Sequence, residues 1–312
     1  MQAVLNAALP LFALILTGYL CGRYGAFSRV GTNILNRFAV YLALPALMFL
    51  AMARITREDA GQVGFALAFG GGIAATFALA FAFSRWQGRR RVAQASIEGL
   101  DASYGNVGFM GIPLCLLVFG PDGLPAAVVA SLFTACALFL FAVALIEAEL
   151  RGGGSGFGRV AGRISLSLLR NPLFLAPLAG LAVALAGLSL PAPVERFAEL
   201  LGGAASPCAL VCIGLFLAQE GVVASGAPAI SALVGLKLLF QPAVTAVLAL
   251  HVFAVPPAWA YPAMLLGALP IGSGPFTIAK LYGLRTGVTS GAILLSHLLS
   301  VASVSLLVAW LG

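Results

Sequence analysis

The sequence predicts an all-α integral membrane fold: ten transmembrane helices in two inverted five-helix repeats, with helices 4 and 9 broken near mid-membrane. Three observations lead there. The 312 residues are 61% hydrophobic and only 9% charged, against roughly 25% charged in an ordinary soluble protein, too few to cover a water-facing surface. Apolar runs of about twenty residues, the length that crosses a bilayer, recur along the chain and leave no room for a soluble domain. The second half also repeats proline and glycine positions of the first at a fixed offset.

Charges and Gly/Pro clusters bound the spans at 3–22, 32–52, 61–84, 93–119, 124–149, 168–187, 198–218, 228–252, 258–282 and 287–311. The first run lacks a basic segment before it, so it is read as a span and not a cleaved signal. The longest polar break opens on Arg151-Gly-Gly-Gly-Ser-Gly, a flexible composition. It divides the chain into a first repeat, 1–150, a linker, 151–167, and a second repeat, 168–312. Cys21, Cys115, Cys136, Cys208 and Cys212 lie scattered in apolar stretches and read as packing residues.

Arginine placement sets the orientation. Arg23, Arg29, Arg37, Arg85, Arg89, Arg90, Arg91, Arg151, Arg159, Arg163, Arg170, Lys280 and Arg285 flank one set of loops, whereas Arg54, Arg57 and Arg196 flank the other. The richer side is cytoplasmic, which puts the linker inside and both termini outside; the cell (inner) membrane is the expected location. The net charge of +7 thus reflects loop topology and does not point to nucleic acid.

An offset of 162 residues aligns Pro10 with Pro172, Pro45 with Pro207 and Pro113 with Pro275, and Gly18 with Gly180 and Gly105 with Gly267. Five spans per repeat is an odd number, so the second copy enters from the opposite side. Such inverted repeats are found in many secondary transporters. The expected lipid-embedded carrier would alternate between two conformations by exchanging the roles of its halves.

Spans 4 and 9 are interrupted at corresponding places, by Tyr104-Gly-Asn-Val-Gly-Phe-Met-Gly-Ile-Pro113 and Gly267-Ala-Leu-Pro-Ile-Gly-Ser-Gly-Pro275. Proline removes a donor and clashes with the preceding turn, and glycine eases unwinding. Broken backbone at membrane depth is tolerated where protein or a water-filled cavity surrounds it, and half-helix N-termini favour an anion. Ordinary kinks would carry the same residues; the pairing at matched positions favours a binding site.

The 104–113 segment resembles the span-4 motif of the auxin efflux carrier family, bacterial type. So do Leu9-Pro10 with Gly18-Tyr19, Leu44-Pro45-Ala46, Lys237-Leu-Leu-Phe-Gln-Pro242 and the stretch from Pro270 to Tyr282-Gly283. The resemblance implies a five-plus-five inverted repeat with spans 4 and 9 crossing at the substrate site, and a fold related to sodium/proton antiporters and bile-acid symporters. It implies a secondary carrier of a small organic anion, a carboxylate such as auxin (indole-3-acetate) or malonate, working by elevator-type alternating access. A homodimer is suggested by the same analogy. Carried over by position, Asn106 and Gly105 stand at the crossing, Pro113, Pro275 and Pro270 match the crossover prolines, and Pro45 and Pro207 line the pocket.

Ionisable groups inside a membrane are costly. Asp101 and Lys237 each lie roughly 12 Å deep at 1.5 Å per residue. They are expected to pair, either as a charge relay replacing a coupling sodium or as a static structural pair. His297 lies near mid-depth and fits either a proton relay or a packing role. Glu98 reads as a loop salt bridge to the arginines at 89–91, Lys280 as a snorkelling side chain, and His251 lies near the outer surface. No cofactor is expected beyond a coupling proton or sodium ion, and no metal site: two distant histidines do not make a zinc centre. No Gly-x-Ser-x-Gly, His-Glu-x-x-His or Walker pattern is present, which argues against an enzyme. A symporter of another solute, a channel and a receptor are the remaining alternatives.

Overall fold

Proline placement sets the local winding of this chain. The computed structural model describes residues 2–56, 61–88, 91–150, 171–219 and 226–311; the expected linker, 151–167, lies outside the described residues. The first half holds α1 (Gln2–Arg23), α2 (Arg29–Phe38), α3 (Leu44–Ala53), α4 (Val63–Gly88), α5 (Val92–Ser103), α6 (Ile112–Phe119), α7 (Leu124–Leu132) and α8 (Phe139–Leu150). The second holds α9 (Pro172–Leu185), α10 (Ala192–Gly203), α11 (Ala205–Gln219), α12 (Ala227–Gly235), α13 (Gln241–Val247), α14 (Pro257–Gly267), α15 (Gly274–Leu281) and α16 (Gly287–Leu311).

Several of these pieces join end to end through a five-residue π turn, and three such turns stand just before a proline. Ala39–Ala43 precedes Pro45, Val107–Gly111 precedes Pro113, and Leu236–Phe240 precedes Pro242. A proline ring collides with the carbonyl four residues back and offers no N–H. Here those carbonyls belong to Tyr41, Phe109 and Leu238, all inside the π turn, whose i→i+5 winding carries them clear of the ring. At Pro207 the chain instead breaks: α10 stops at Gly203, Ala204 turns, and α11 begins.

The exterior is apolar: Leu239, Leu281 and Leu306 are 70%, 75% and 72% exposed. Asp101, Lys237, Thr76, Thr245 and Ser296 are buried inside. That distribution suits hydrocarbon surroundings and would be unfavourable in water. Among the described residues, six helical segments are long and apolar enough to cross a membrane, and Phe12–Arg23 and Pro172–Leu185 are shorter apolar helices. Expected spans 1 and 6 correspond to the two shorter helices, and expected spans 4 and 9 are the interrupted ones. The stretch Val107–Leu150 is one apolar segment of 44 residues, bent at Gly120–Gly123, where Gly120 has φ +69. The α14–α15 stretch is divided into two short helices.

Two close helix pairs tie the halves together: α1 packs on α11, and α9 on α3. A Cβ at Gly18 would fall within 3.0 Å of the Val211 carbonyl oxygen, and one at Gly180 within 3.0 Å of the Phe49 carbonyl oxygen. Gly18 and Gly180 differ by 162, as do Phe49 and Val211, so the two contacts are one contact with the halves exchanged. Small residues let membrane helices approach this closely. Gly214 repeats the effect against Ile15 and Tyr19 on α1.

Candidate functional site

The two interruptions meet. After Ser103 the chain leaves helical geometry, and Asn106 N donates to Pro270 O at 2.8 Å while Gly272 N donates to Tyr104 O at 2.9 Å. Gly105 and Ile271 form the antiparallel bridging pair between them. Shifting Tyr104 and Asn106 by 166 residues gives Pro270 and Gly272, so these bonds too exchange when the halves exchange. The offset is four residues greater than the 162 that pairs Pro113 with Pro275, and it sets Gly105 opposite Ile271 instead of matching it to Gly267. The four extra residues fall between Asn106 and Pro113, where 107–112 hold the π turn Val107–Gly111; only Ser273 and Gly274 separate Gly272 from Pro275, and α15 starts at Gly274.

Tyr104 explains the glycines of the second break. A Cβ at Gly274 would stand 2.5 Å from Tyr104 Cζ, and one at Gly272 3.0 Å from Cε1. The ring thus lies against a backbone strip that side chains would obstruct. Ser296 Oγ accepts from Ile271 N at 3.0 Å, satisfying a donor that unwinding frees.

Beside the junction lies a cavity of about 370 Å³. Asn106 and Phe109 line it from the first break, Ser273, Phe276 and Thr277 from the second, and Ser290, Ile293, Leu294 and His297 from α16. Asn36 and Val40 close it from the α2 side, and Ile213, Phe216 and Leu217 from α11. Asn106 Nδ2 is 3.2 Å from His297 Nε2, and His297 Nδ1 is 2.9 Å from Ile293 O. A carbonyl only accepts, so Nδ1 carries the proton and, in the neutral ring, Nε2 accepts from the Asn106 amide. The first turn of α15 has N–H groups without an intrahelical acceptor, and Ser273 and Thr277 at its head are exposed. The lining therefore offers hydrogen-bond donors, aromatic faces at Phe109, Phe216 and Phe276, and no carboxylate among its described residues.

Asp101 and Lys237 do not line this cavity, and no ion pair within 4.0 Å joins them. Lys237 Nζ donates to Gly267 O at 2.7 Å, placing its charge at the C-terminal end of α14, where carbonyls favour a cation. A Cβ at Gly105 would meet Nζ at 3.5 Å, an ordinary contact distance, so Gly105 stands beside the amine without being required by it. Asp101 Oδ2 accepts from Thr289 Oγ1 at 2.8 Å, and its Oδ1 is buried without a hydrogen-bond partner. Both side chains sit behind the junction, each on its own partner. Pro113 and Pro275 occupy the second positions of α6 and α15, and Pro45 the second position of α3; with Pro207 in α11 they shape backbone and do not line the cavity. Glu98 is buried, and Lys280 stands 5.0 Å over the Phe276 ring.

Tyr104, Ser273, Thr277, Ser290, Thr289 and Ser296 were not singled out from the sequence. One signal was present: Thr289, Ser290, Ser296, His297 and Ser300 form a polar stripe at helical spacing on one face of α16.

The profile of the family described as "Membrane transport protein" matches residues 3–154 and 156–308. The chain belongs to that family. This membrane transporter is 35% identical over 308 residues to the "Putative malonate transporter" of Rhizobium meliloti (strain 1021), covering 98% of this chain and 95% of the relative. It is 25% identical over 295 residues to the "Uncharacterized transporter YfdV" of Escherichia coli (strain K12), with 91% of each chain covered. It is 31% identical over 138 residues to "Auxin efflux carrier component 3a" of Oryza sativa subsp. japonica, which covers 43% of this chain and 22% of the relative. The auxin efflux carrier resemblance thus holds, and with it a multi-pass membrane transporter and not an enzyme. The two matched blocks of this transporter divide at residue 155, inside the polar stretch that separates the halves.

Proposed function

We propose that this transporter is a secondary active carrier of small carboxylates, malonate foremost and indole-3-acetate as the alternative, with the anion held beside the junction of the two broken helices. The observation that carries this reading is the cavity at Asn106, which combines amide, hydroxyl and half-helix N–H donors with no carboxylate among its described lining residues. Such a donor set suits an anion. The name of the Rhizobium relative favours malonate, and the aromatic walls leave room for an indole acid.

The ten-span reading, with two inverted five-helix repeats and crossing spans 4 and 9, is supported by both exchange relations: Gly18 with Val211 against Gly180 with Phe49, and the paired bonds at the breaks. Elevator motion is supported by where the cavity lies. One wall belongs to α2 and α11, of which α11 is interlocked with α1; the other belongs to the two breaks and α16. Sliding the second body against the first would carry the anion across. With the orientation expected from the arginines, Asn36, Phe216, Thr277 and Ser290 lie on the cytoplasmic side, so this conformation is inward-open. Lys237, seated on the Gly267 carbonyl, is read as standing in for a coupling sodium, and the proton is the coupling ion proposed here.

The test is counterflow in proteoliposomes preloaded with malonate. Labelled malonate entering by saturable exchange, competed by other carboxylates, supports the reading. A non-saturating flux means a channel, and saturable binding without flux means a receptor; either overturns it.

A further inference from the structure

We propose that His297 is the proton-binding residue of the carrier, and that its protonation converts the Asn106–His297 contact from a closed hydrogen bond into a paired donor site for one substrate carboxylate. This rests on the carboxylate reading above and adds to it the coupling atom.

The contact has a fixed sense. His297 Nδ1 is committed to Ile293 O at 2.9 Å, so in the neutral ring Nε2 is an acceptor and holds an Asn106 N–H at 3.2 Å. That N–H is then unavailable to a ligand. A proton taken from water on the open side adds an N–H at Nε2, and two donors face one another where a donor and an acceptor stood. A carboxylate that enters resolves the conflict by accepting from both groups. The imidazolium also brings positive charge to a cavity whose other described lining side chains are neutral. On release to the far side the proton leaves Nε2 and the original bond closes again.

Other charges near α16 do not substitute for this. Of the elements packed on it, α1 carries Tyr19, Cys21 and Arg23, α5 carries Glu98 and Asp101, α14 carries Tyr261, α15 carries Lys280, and the π turn before α13 carries Lys237; α12 carries no titratable side chain. Across the cavity stand Arg29 and Arg37 on α2 and Cys208 and Cys212 on α11. The imidazole's hydrogen bonds run to Asn106 and Ile293. Asp101 is engaged by Thr289, two helical turns before His297.

The experiment uses the full chain in proteoliposomes with a trapped pH dye and labelled malonate. Wild type is expected to move one proton per malonate, with apparent affinity falling about tenfold per pH unit once His297 is neutral. In His297→Gln, whose amide can donate at any pH, whatever malonate exchange remains is expected to show a flat pH profile and no dye response. Wild-type pH dependence and proton flux in that variant would overturn the proposal. Should His297→Gln lose all transport, the wild type decides by labelled-histidine NMR in a His251→Gln background. Malonate at fixed pH raises the protonated fraction of His297 if the proposal holds, and leaves it unchanged if it fails. Absence of malonate exchange in wild type at every pH would instead sink the carboxylate reading itself.

Discussion

Replacing Gly274 by alanine tests the junction where Tyr104 meets the second break. The new Cβ would stand 2.5 Å from Tyr104 Cζ and 2.9 Å from both Cε atoms. An aromatic ring cannot bend away as a flexible chain end can, so ring or backbone must shift by about one ångström to restore contact distance. Overpacking of this kind costs about 1–3 kcal/mol. Alanine in a helix regains up to about 1 kcal/mol over glycine, so the clash wins and Gly274→Ala is expected to be destabilising. Removing the ring removes the conflict: in a Tyr104→Ala background the same change should be neutral or stabilising. The coupling between the two sites is therefore expected at roughly 1–3 kcal/mol, within the range seen for residues in contact. Unfolding of the four proteins of this cycle in one detergent measures it. Additive effects would refute the claim that the Gly-Ser-Gly strip exists to seat Tyr104.

Three further outcomes follow from the same geometry. Gly18→Ala and Gly180→Ala should each destabilise by a similar amount, about 1–3 kcal/mol, while Gly235→Ala, which meets nothing within 4 Å, should not; thermal unfolding compares them, and a tolerated change at one of the first two contradicts the exchange symmetry. Lys237→Met leaves Gly267 O without its buried donor, at a cost of about 1–3 kcal/mol, and should abolish malonate exchange; wild-type exchange should meanwhile be unchanged when choline replaces sodium, and a sodium requirement would remove the role given to Lys237. Glu149 accepts from Val92 N and Ala93 N, both at 2.8 Å, capping α5, so Glu149→Ala should cost about 0.5–2 kcal/mol and speed amide exchange at those two residues first.

Hydropathy and arginine placement made the apolar, multi-pass character legible, because lipid imposes long apolar runs on any chain that crosses it. The two breaks were legible as well, since Gly105, Pro113, Pro270 and Pro275 each perturb a helix through their own backbone. What those residues do next was less so. Pro113 read as a helix breaker and Pro45 as a pocket-lining residue, yet the chain absorbs both, and Pro242 with them, by widening into π turns, a choice made by the packing around each turn. Asp101 and Lys237 matched in depth and so suggested a pair. Depth along a helix carries no information on azimuth, and Thr289 and Gly267 O claimed them separately. The Asn106–His297 contact spans 191 residues and no local pattern encodes it. The glycines at 272 and 274 seemed to serve unwinding alone because Tyr104, whose ring they accommodate, belongs to the other half.

The most direct test of the central claim is malonate counterflow measured side by side for wild type and Asn106→Ala in proteoliposomes, with folding of both verified by size exclusion and thermal unfolding. Saturable exchange in wild type that is lost in a folded Asn106→Ala protein is the predicted result. Equal exchange in the two, or none in folded wild type, would contradict the assignment of a carboxylate site to the junction of the broken helices.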